Sequence, residues 1–278
     1  MLPFKPALSP IHSPILINVV QLSRIVRFAC GTGLSKGNGY SGAPALSDWE
    51  RIEEVRVTCR GRVNPVTEYV VDIKTVDSAV RETLFPAFAS ARAAQTSGRA
   101  ALTASWPVLE LRLRAAGVDL AALRWNRSTY DSIEMTSTTG QSVLYRQRFD
   151  FAAAHRLHNP ALSDEENRSL YGKCNNPRGH GHNYQFEPCI DVPADAPFAP
   201  AQVEAVCRVV ILDRFDHKNL NEDTAEFREG SGLNPSVENI ARVFFELLKG
   251  PLSHEMSGCS LRNVTVWETD RTSATFPG

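Results

Sequence analysis

Apolar and polar positions along the chain repeat with two different periods. Period-two runs, the mark of strands with one buried face, occur at 25–29, 51–59, 149–155 and 183–190, and late in the runs LRWNRS and VTVWETD. Amphipathic stretches of helical period end at 84–88 and at 211–215, the second including a helix over about 203–212. Further helices are predicted to open at Pro107 and Pro235, since proline is favoured in a helix's first turn. The order strand, strand, helix, helix, strand, strand is thus read twice, which predicts an α+β protein with antiparallel sheets.

The two readings suggest a tandem repeat. Arg27-Phe28 matches Arg148-Phe149, 84–88 matches 211–215, Pro107 and Glu110 match Pro235 and Glu238, and Trp125 matches Trp267. The polar run TSTTGQS at 136–142 is the expected junction, giving a lead-in at 1–16, a first repeat at 17–137 and a second at 142–278. The lead-in has four prolines in sixteen residues and reads as an extended segment without the apolar core of a signal peptide.

Charge narrows the choice of partners. With 30 Lys+Arg against 31 Asp+Glu, nothing favours nucleic acid or an anionic membrane. At 42% hydrophobic and 22% charged residues the composition is globular, which excludes disordered and fibrous classes. No apolar run is long enough to span a bilayer. Six cysteines without a CxxC pair read as reduced thiols, so the expectation is a cytoplasmic protein. The glycine-rich run Gly31 to Gly42 fits neither dinucleotide nor phosphate-loop spacing and reads as a plain loop.

Candidate chemistry is confined to the second repeat. Six of the seven histidines lie there, and His12 is in the lead-in. His180-Gly181-His182 adjoins a strand, where residues two apart share a face, and His155 shares the inward parity of Phe149, Phe151 and Ala153. Three neutral imidazoles from two strands suit a zinc ion with an open fourth position. His158 and His254 read as surface residues. Cys174, between Lys173 and Asn175 in a polar loop, could close that site as a fourth ligand or act as a thiolate acid/base whose pKa nearby positive charge lowers. Asp216-His217 is either a proton-transfer pair or a helix-terminal histidine satisfying carbonyls. Glu268 interrupts an apolar strand, either as a solvated edge residue or as an acceptor for an N–H-rich heterocycle. At the matching positions the first repeat has Ala89, Ser90 and Asn126 in place of Asp216, His217 and Glu268.

Taken in order, AAAHRL, CNNPRGHGHNY, FDHKNLN, NPSVENIA and VWET resemble the 6-pyruvoyl-tetrahydropterin synthases and their 6-carboxy-tetrahydropterin synthase relatives over about 143–276. The resemblance implies a tunnelling fold (T-fold), in which antiparallel four-stranded sheets with two helices on one side associate into a barrel. It implies zinc on His155, His180 and His182, proton transfer by Cys174, Asp216 and His217, a pterin anchored by Glu268, and Ser236 and Glu238 near that pterin. It also implies a homo-oligomer with sites between subunits.

The five residues between Cys174 and His180 resemble the pyruvoyl-forming spacing more than the three common in carboxy-forming enzymes. The expected activity is therefore a zinc-dependent lyase converting 7,8-dihydroneopterin triphosphate to 6-pyruvoyl-tetrahydropterin and triphosphate. A 6-carboxy-tetrahydropterin synthase and a non-enzymatic pterin-binding module are the alternatives. Lys173, Arg178 and Lys218 are the basic residues near the motifs.

Overall fold

The computed structural model describes residues 19–30, 42, 44, 46, 49, 51–140 and 142–278. The lead-in with His12, and the loop at 31–41, lie outside the described residues. In chain order the elements are β1 (Val19–Ala29), β2 (Ile52–Arg62), α1 (Ile73–Ala93), α2 (Gly98–Ala115), β3 (Asp119–Asn126) and β4 (Asp131–Thr136). There follow β5 (Ser142–Gln147), β6 (Phe149–His155), α3 (Asp164–Tyr171), β7 (His180–Pro193), α4 (Pro200–Cys207) and α5 (Asp213–Phe215). The chain ends with β8 (Lys218–Asn219), α6 (Leu220–Asp223), α7 (Val237–Glu255), β9 (Ser260–Thr269) and β10 (Thr272–Phe276). A π-helical stretch, Arg208–Leu212, fuses α4 and α5 into one rod.

The strands form one sheet. In the first half the order is β1-β2-β3-β4, all antiparallel. In the second, β5 and β6 pair with successive parts of β7 and so act as one strand bent at Arg148, and β7 continues to β9 and β10. Pairing of β4 with β5, from Asp131↔Gln147 to Glu134↔Leu144, joins the two into a continuous sheet. Each half therefore has four antiparallel strand positions and two long helical rods, the T-fold arrangement that the sequence implied.

Side-chain parity decides which face the helices cover. Phe28 meets Phe85 and Phe88 of α1, and Phe88 meets Trp125 at 4.7 Å between ring centroids. In the second half Phe151 and Phe186 meet Phe244 of α7 at 5.4 and 5.3 Å. Burying such a ring contributes roughly 1.5–3 kcal/mol, so these stripes hold the helices on the sheet. α7 presents Ile240, Ala241, Phe244, Leu248 and Leu252 at helical spacing, all buried.

Three expected matches between halves are corrected. α2 begins after Ser97, whose side chain accepts from Arg99 N–H, so Pro107 lies inside that helix rather than at its start. The cap decided the boundary, and the proline misled because helices tolerate it at a cost. Likewise 84–88 lies within α1, which runs on to Ala93. Trp125 faces the helices, whereas Trp267 lies on the opposite face under the Arg148 guanidinium at 4.2 Å. The match of Arg27-Phe28 with Arg148-Phe149 does keep its faces, since both phenylalanines are buried toward the helices.

Candidate active site

The antiparallel register of β6 and β7 sets His155 opposite His180 and Ala153 opposite His182. All three imidazoles leave the helix-covered face at one end of the sheet, and a ligand nitrogen of each lies within 4.8 Å of the others. Gly179 makes the approach possible: its φ is +67°, and a Cβ there would come within 2.9 Å of the His155 carbonyl oxygen. A backbone contact holds the innermost ring. His155, with no exposed surface, donates from Nδ1 to the Pro235 carbonyl at 2.7 Å, and the Tyr184 hydroxyl is 3.2 Å from the same nitrogen.

That hydrogen bond fixes the tautomer and leaves His155 Nε2 unprotonated. Burial pushes the His155 pKa down to about 4, with the Pro235 carbonyl opposing and His180 and His182 adding to the depression. His180 is also lowered, by burial and by His182, against the pull of Glu268. His155 Nε2 faces His180 Nε2 at 3.1 Å and Glu268 Oε1 at 3.3 Å, and Glu268 Oε1 is 3.5 Å from His182 Nε2. His180 Nδ1 and His182 Nε2 are buried without a hydrogen bond among the described residues. The free lone pair of His155 Nε2, two further imidazoles and a carboxylate converge here, and this donor set fits a divalent metal such as zinc.

Cys174 lies in a 3-10 turn, Gly172–Asn175, whose backbone accepts from Leu157 N–H at 2.8 Å. It lines a cleft of about 840 Å³ together with His180, His182, Arg168, Lys173 and Asn176. The expectation that its surroundings lower the thiol pKa is not met by the protein's own groups: burial and then the Glu268 carboxylate push it up. Positive charge on the thiol would have to come from an ion on the histidines.

Asp216 and His217 sit elsewhere. Asp216 Oδ1 accepts from Ala152 N–H at 2.8 Å, and its other oxygen is 2.9 Å from His217 Nδ1. Burial works to raise the Asp216 pKa, but the Ala152 N–H and His217 outweigh it and hold the group below its ordinary value. His217 has a positive φ of 57° and is 81% exposed, so it is not a helix-terminal histidine buried against carbonyls. It opens on a groove floored by Ala152, Ala154 and Gly181 that shares only His182 with the Cys174 cleft. Lys218 lines that groove and Lys173 the cleft, while Arg178 is exposed and lines neither.

Ser236 is the N-cap of α7, accepting from Asn239 N–H at 3.4 Å, and Glu238 is exposed in that helix's first turn. Both have a sufficient local reason in capping and in the helix dipole. Motif reading overlooked the asparagines that brace the site. Asn221 accepts from Arg156 N–H and donates to Arg156 O, Asn175 donates to Leu157 O, and Asn234 Oδ1 accepts from His158 N–H. His158, expected on the surface, is half-buried in this network beside Arg156 and Asn175. The signal was the density of asparagine in CNNPR, NLN and LNPS, since buried amides of this kind satisfy backbone that no ladder reaches.

The fold and the donor set together define a T-fold protein with a three-histidine metal-type centre. The family model for 6-pyruvoyl tetrahydropterin synthase matches residues 144–278. The human 6-pyruvoyl tetrahydrobiopterin synthase is 35% identical over 136 residues, covering 48% of this chain and 89% of the human protein. That of Poecilia reticulata is 34% identical over 132 residues, covering 46% and 85%. The solved 6-pyruvoyl tetrahydropterin synthase of Caenorhabditis elegans is similar at 35% identity and a TM-score of 0.43, over 49% of this chain and 96% of that one. The chain belongs to the 6-pyruvoyl tetrahydropterin synthase family.

Proposed function

We propose that this chain is a zinc-dependent lyase that converts 7,8-dihydroneopterin triphosphate to 6-pyruvoyl-tetrahydropterin with release of triphosphate. The observation that carries the reading is the convergence of three imidazoles, a ligand nitrogen of each within 4.8 Å of the others, beside the Cys174 cleft. His155, His180 and His182 would hold the zinc, which when bound would polarise the substrate's side-chain oxygens and acidify the adjacent C–H bonds. Cys174 would exchange a proton with the side-chain carbons. Asp216 would keep His217 oriented and stabilise its cation, so that the imidazole serves as the second proton carrier.

No external oxidant is needed, because the dihydropterin ring is reduced as the side-chain alcohols become ketones and triphosphate leaves. Glu268 would accept the pterin's N–H groups, with Ser236 and Glu238 at the ring's edge. Because Cys174 and His217 open on separate grooves, a homo-oligomer that covers both would complete the site. Residues 17–137 would be a degenerate copy that supplies sheet and helices but no metal ligand.

The test is mass spectrometry of the products after the zinc-loaded protein meets 7,8-dihydroneopterin triphosphate. The expected result is a pyruvoyl product with free triphosphate. A 6-carboxy product with acetaldehyde would assign the carboxy-forming reaction, and bound but unchanged pterin would make the protein a binding module.

A further inference from the structure

Buried polar side-chain atoms without a partner gather in two places among the described residues. Two belong to His180 and His182, and three, Arg124 Nε, Arg148 Nε and Ser132 Oγ, belong to residues lining one cavity of about 500 Å³. The rest, on Arg24, Thr83 and Glu226, are scattered. The cavity lies on the sheet face that the helices leave uncovered, where the two halves meet. Its Arg27, Glu54, Arg124 and Asn126 alternate with Phe28, Val55, Leu123 and Trp125, which are buried toward the helices. The β3–β4 turn closes one side, and Arg148 and Glu187 of the second half close the other.

Pairing the charges that line the cavity leaves one cation over among the described residues. Glu54 accepts from Arg27 and from the Asn126 amide, both at 2.7 Å. Asp131 faces Arg127 at 3.4 Å, and Glu187 faces Arg148 at 3.4 Å. Next to the cavity Glu134 takes Arg146 at 2.8 Å. Arg124 makes no ion pair or side-chain hydrogen bond among the described residues, although it lies opposite Arg56 in the β2–β3 register and close to Arg146. Burial, and then the like charge of Arg146, hold its guanidinium below the ordinary arginine range, against Glu134 and Glu187. A half-buried cation surrounded by committed carboxylates is costly until an anion joins it.

We propose that this cavity is a small-oxyanion site, taking phosphate or a phosphomonoester in the fork of Arg124, with Arg148 and Ser132 as further donors. Guanidinium groups match the planar spacing of phosphate oxygens, and stacking on Trp267 fixes the plane of Arg148 in advance. The site is separate from the histidine centre, which opens on the other face of the sheet, and it draws residues from both halves. It would give the first half a function that needs no metal.

Calorimetric titration of the full chain with inorganic phosphate and, separately, phenyl phosphate tests this. Saturable binding of one anion per chain is expected, weakened about tenfold or more in Arg124→Gln, as loss of a charge-assisted hydrogen bond implies. Ser132→Ala removes a hydroxyl that has no partner, so it should fold like the parent and bind phosphate several-fold more weakly. Tighter binding of the ester assigns the site to phosphorylated metabolites, and tighter binding of the inorganic ion assigns it to free phosphate. The proposal is overturned if neither anion binds saturably, or if both variants bind as the parent does. It is equally overturned if Arg124→Gln changes the association state while phosphate affinity stays constant, for then a second copy of the chain fills the cavity.

Discussion

The same end of the sheet looks different in the two halves. In the second half the inward positions at the ends of β6, β7 and β9 hold His155, His180, His182 and Glu268, with two buried nitrogens unpartnered. In the first half the inward positions at the start of β2 and the end of β3 hold Glu53 and Trp125, joined by an indole N–H to carboxylate bond of 2.8 Å. Gly98 lets that indole fill the space, because a Cβ there would fall 2.4 Å from the ring. At this end the first half joins its carboxylate and indole to each other and packs shut, while the second leaves two imidazole nitrogens without a hydrogen bond. The strand order is shared, so what separates the proposed reactive centre from a packed one is a few inward side chains at one end.

Substitutions on the two sides should therefore fail in different ways. The largest effect is expected for His180→Ala, with loss of bound zinc and of all measurable turnover, read by elemental analysis and by product formation. Cys174→Ala should keep zinc and pterin binding while turnover falls by about 10²–10⁴, the usual worth of a general acid–base group. Loss of zinc from that variant would instead make the cysteine a ligand.

On the other side, Trp125→Ala should cost about 3–5 kcal/mol in denaturant unfolding, as deletion of a buried indole does, yet leave zinc content and turnover of the folded protein unchanged. Asn221→Ala should cost about 1–3 kcal/mol, because the Arg156 N–H and carbonyl lose their partner. It tests whether the brace, and not the ligands alone, places His155.

The smallest effect concerns acid. Burial alone would raise the Glu54 pKa, but Asn126 and Arg27 bring it below the ordinary 4.5. A carboxylate depressed in the folded state stabilises the protein above its unfolded value, and that contribution disappears as pH falls through the folded value. Glu54→Gln should therefore flatten the loss of stability below pH 4.5, by less than about 1 kcal/mol given its solvent screening, as followed by chemical unfolding across pH.

What could be read in the sequence follows from how local each signal is. The His-x-His pair and the parity of FDFAAAH depend only on strand periodicity, and both residue pairs face the same side of the sheet as expected. The α+β order was legible for the same reason. The start of α2 was not, because the Ser97 cap competed with a more conspicuous proline at Pro107, whereas α7 does open just after Pro235, capped by Ser236. Trp125 and Trp267 matched in sequence yet fall on opposite faces, since a strand displaced by one residue reverses every side chain and composition does not record the register. The Asn221 and Asn234 braces and the Pro235 carbonyl could not be found by motif, because they join distant residues through backbone groups; Arg156 to Asn221, His158 to Asn234 and His155 to Pro235 are separated by 65, 76 and 80. For Asn175 the separation is only 18, yet its partner is again a backbone carbonyl, which no side-chain pattern announces.

The most direct test of the contrast between the halves is the metal content of the purified chain, measured by mass spectrometry of the elements beside protein concentration. One zinc ion per chain, absent from His180→Ala and retained in Trp125→Ala, is the result this account predicts. Zinc that persists in His180→Ala, or a second ion per chain, would contradict it, since the metal would then reside outside the three histidines.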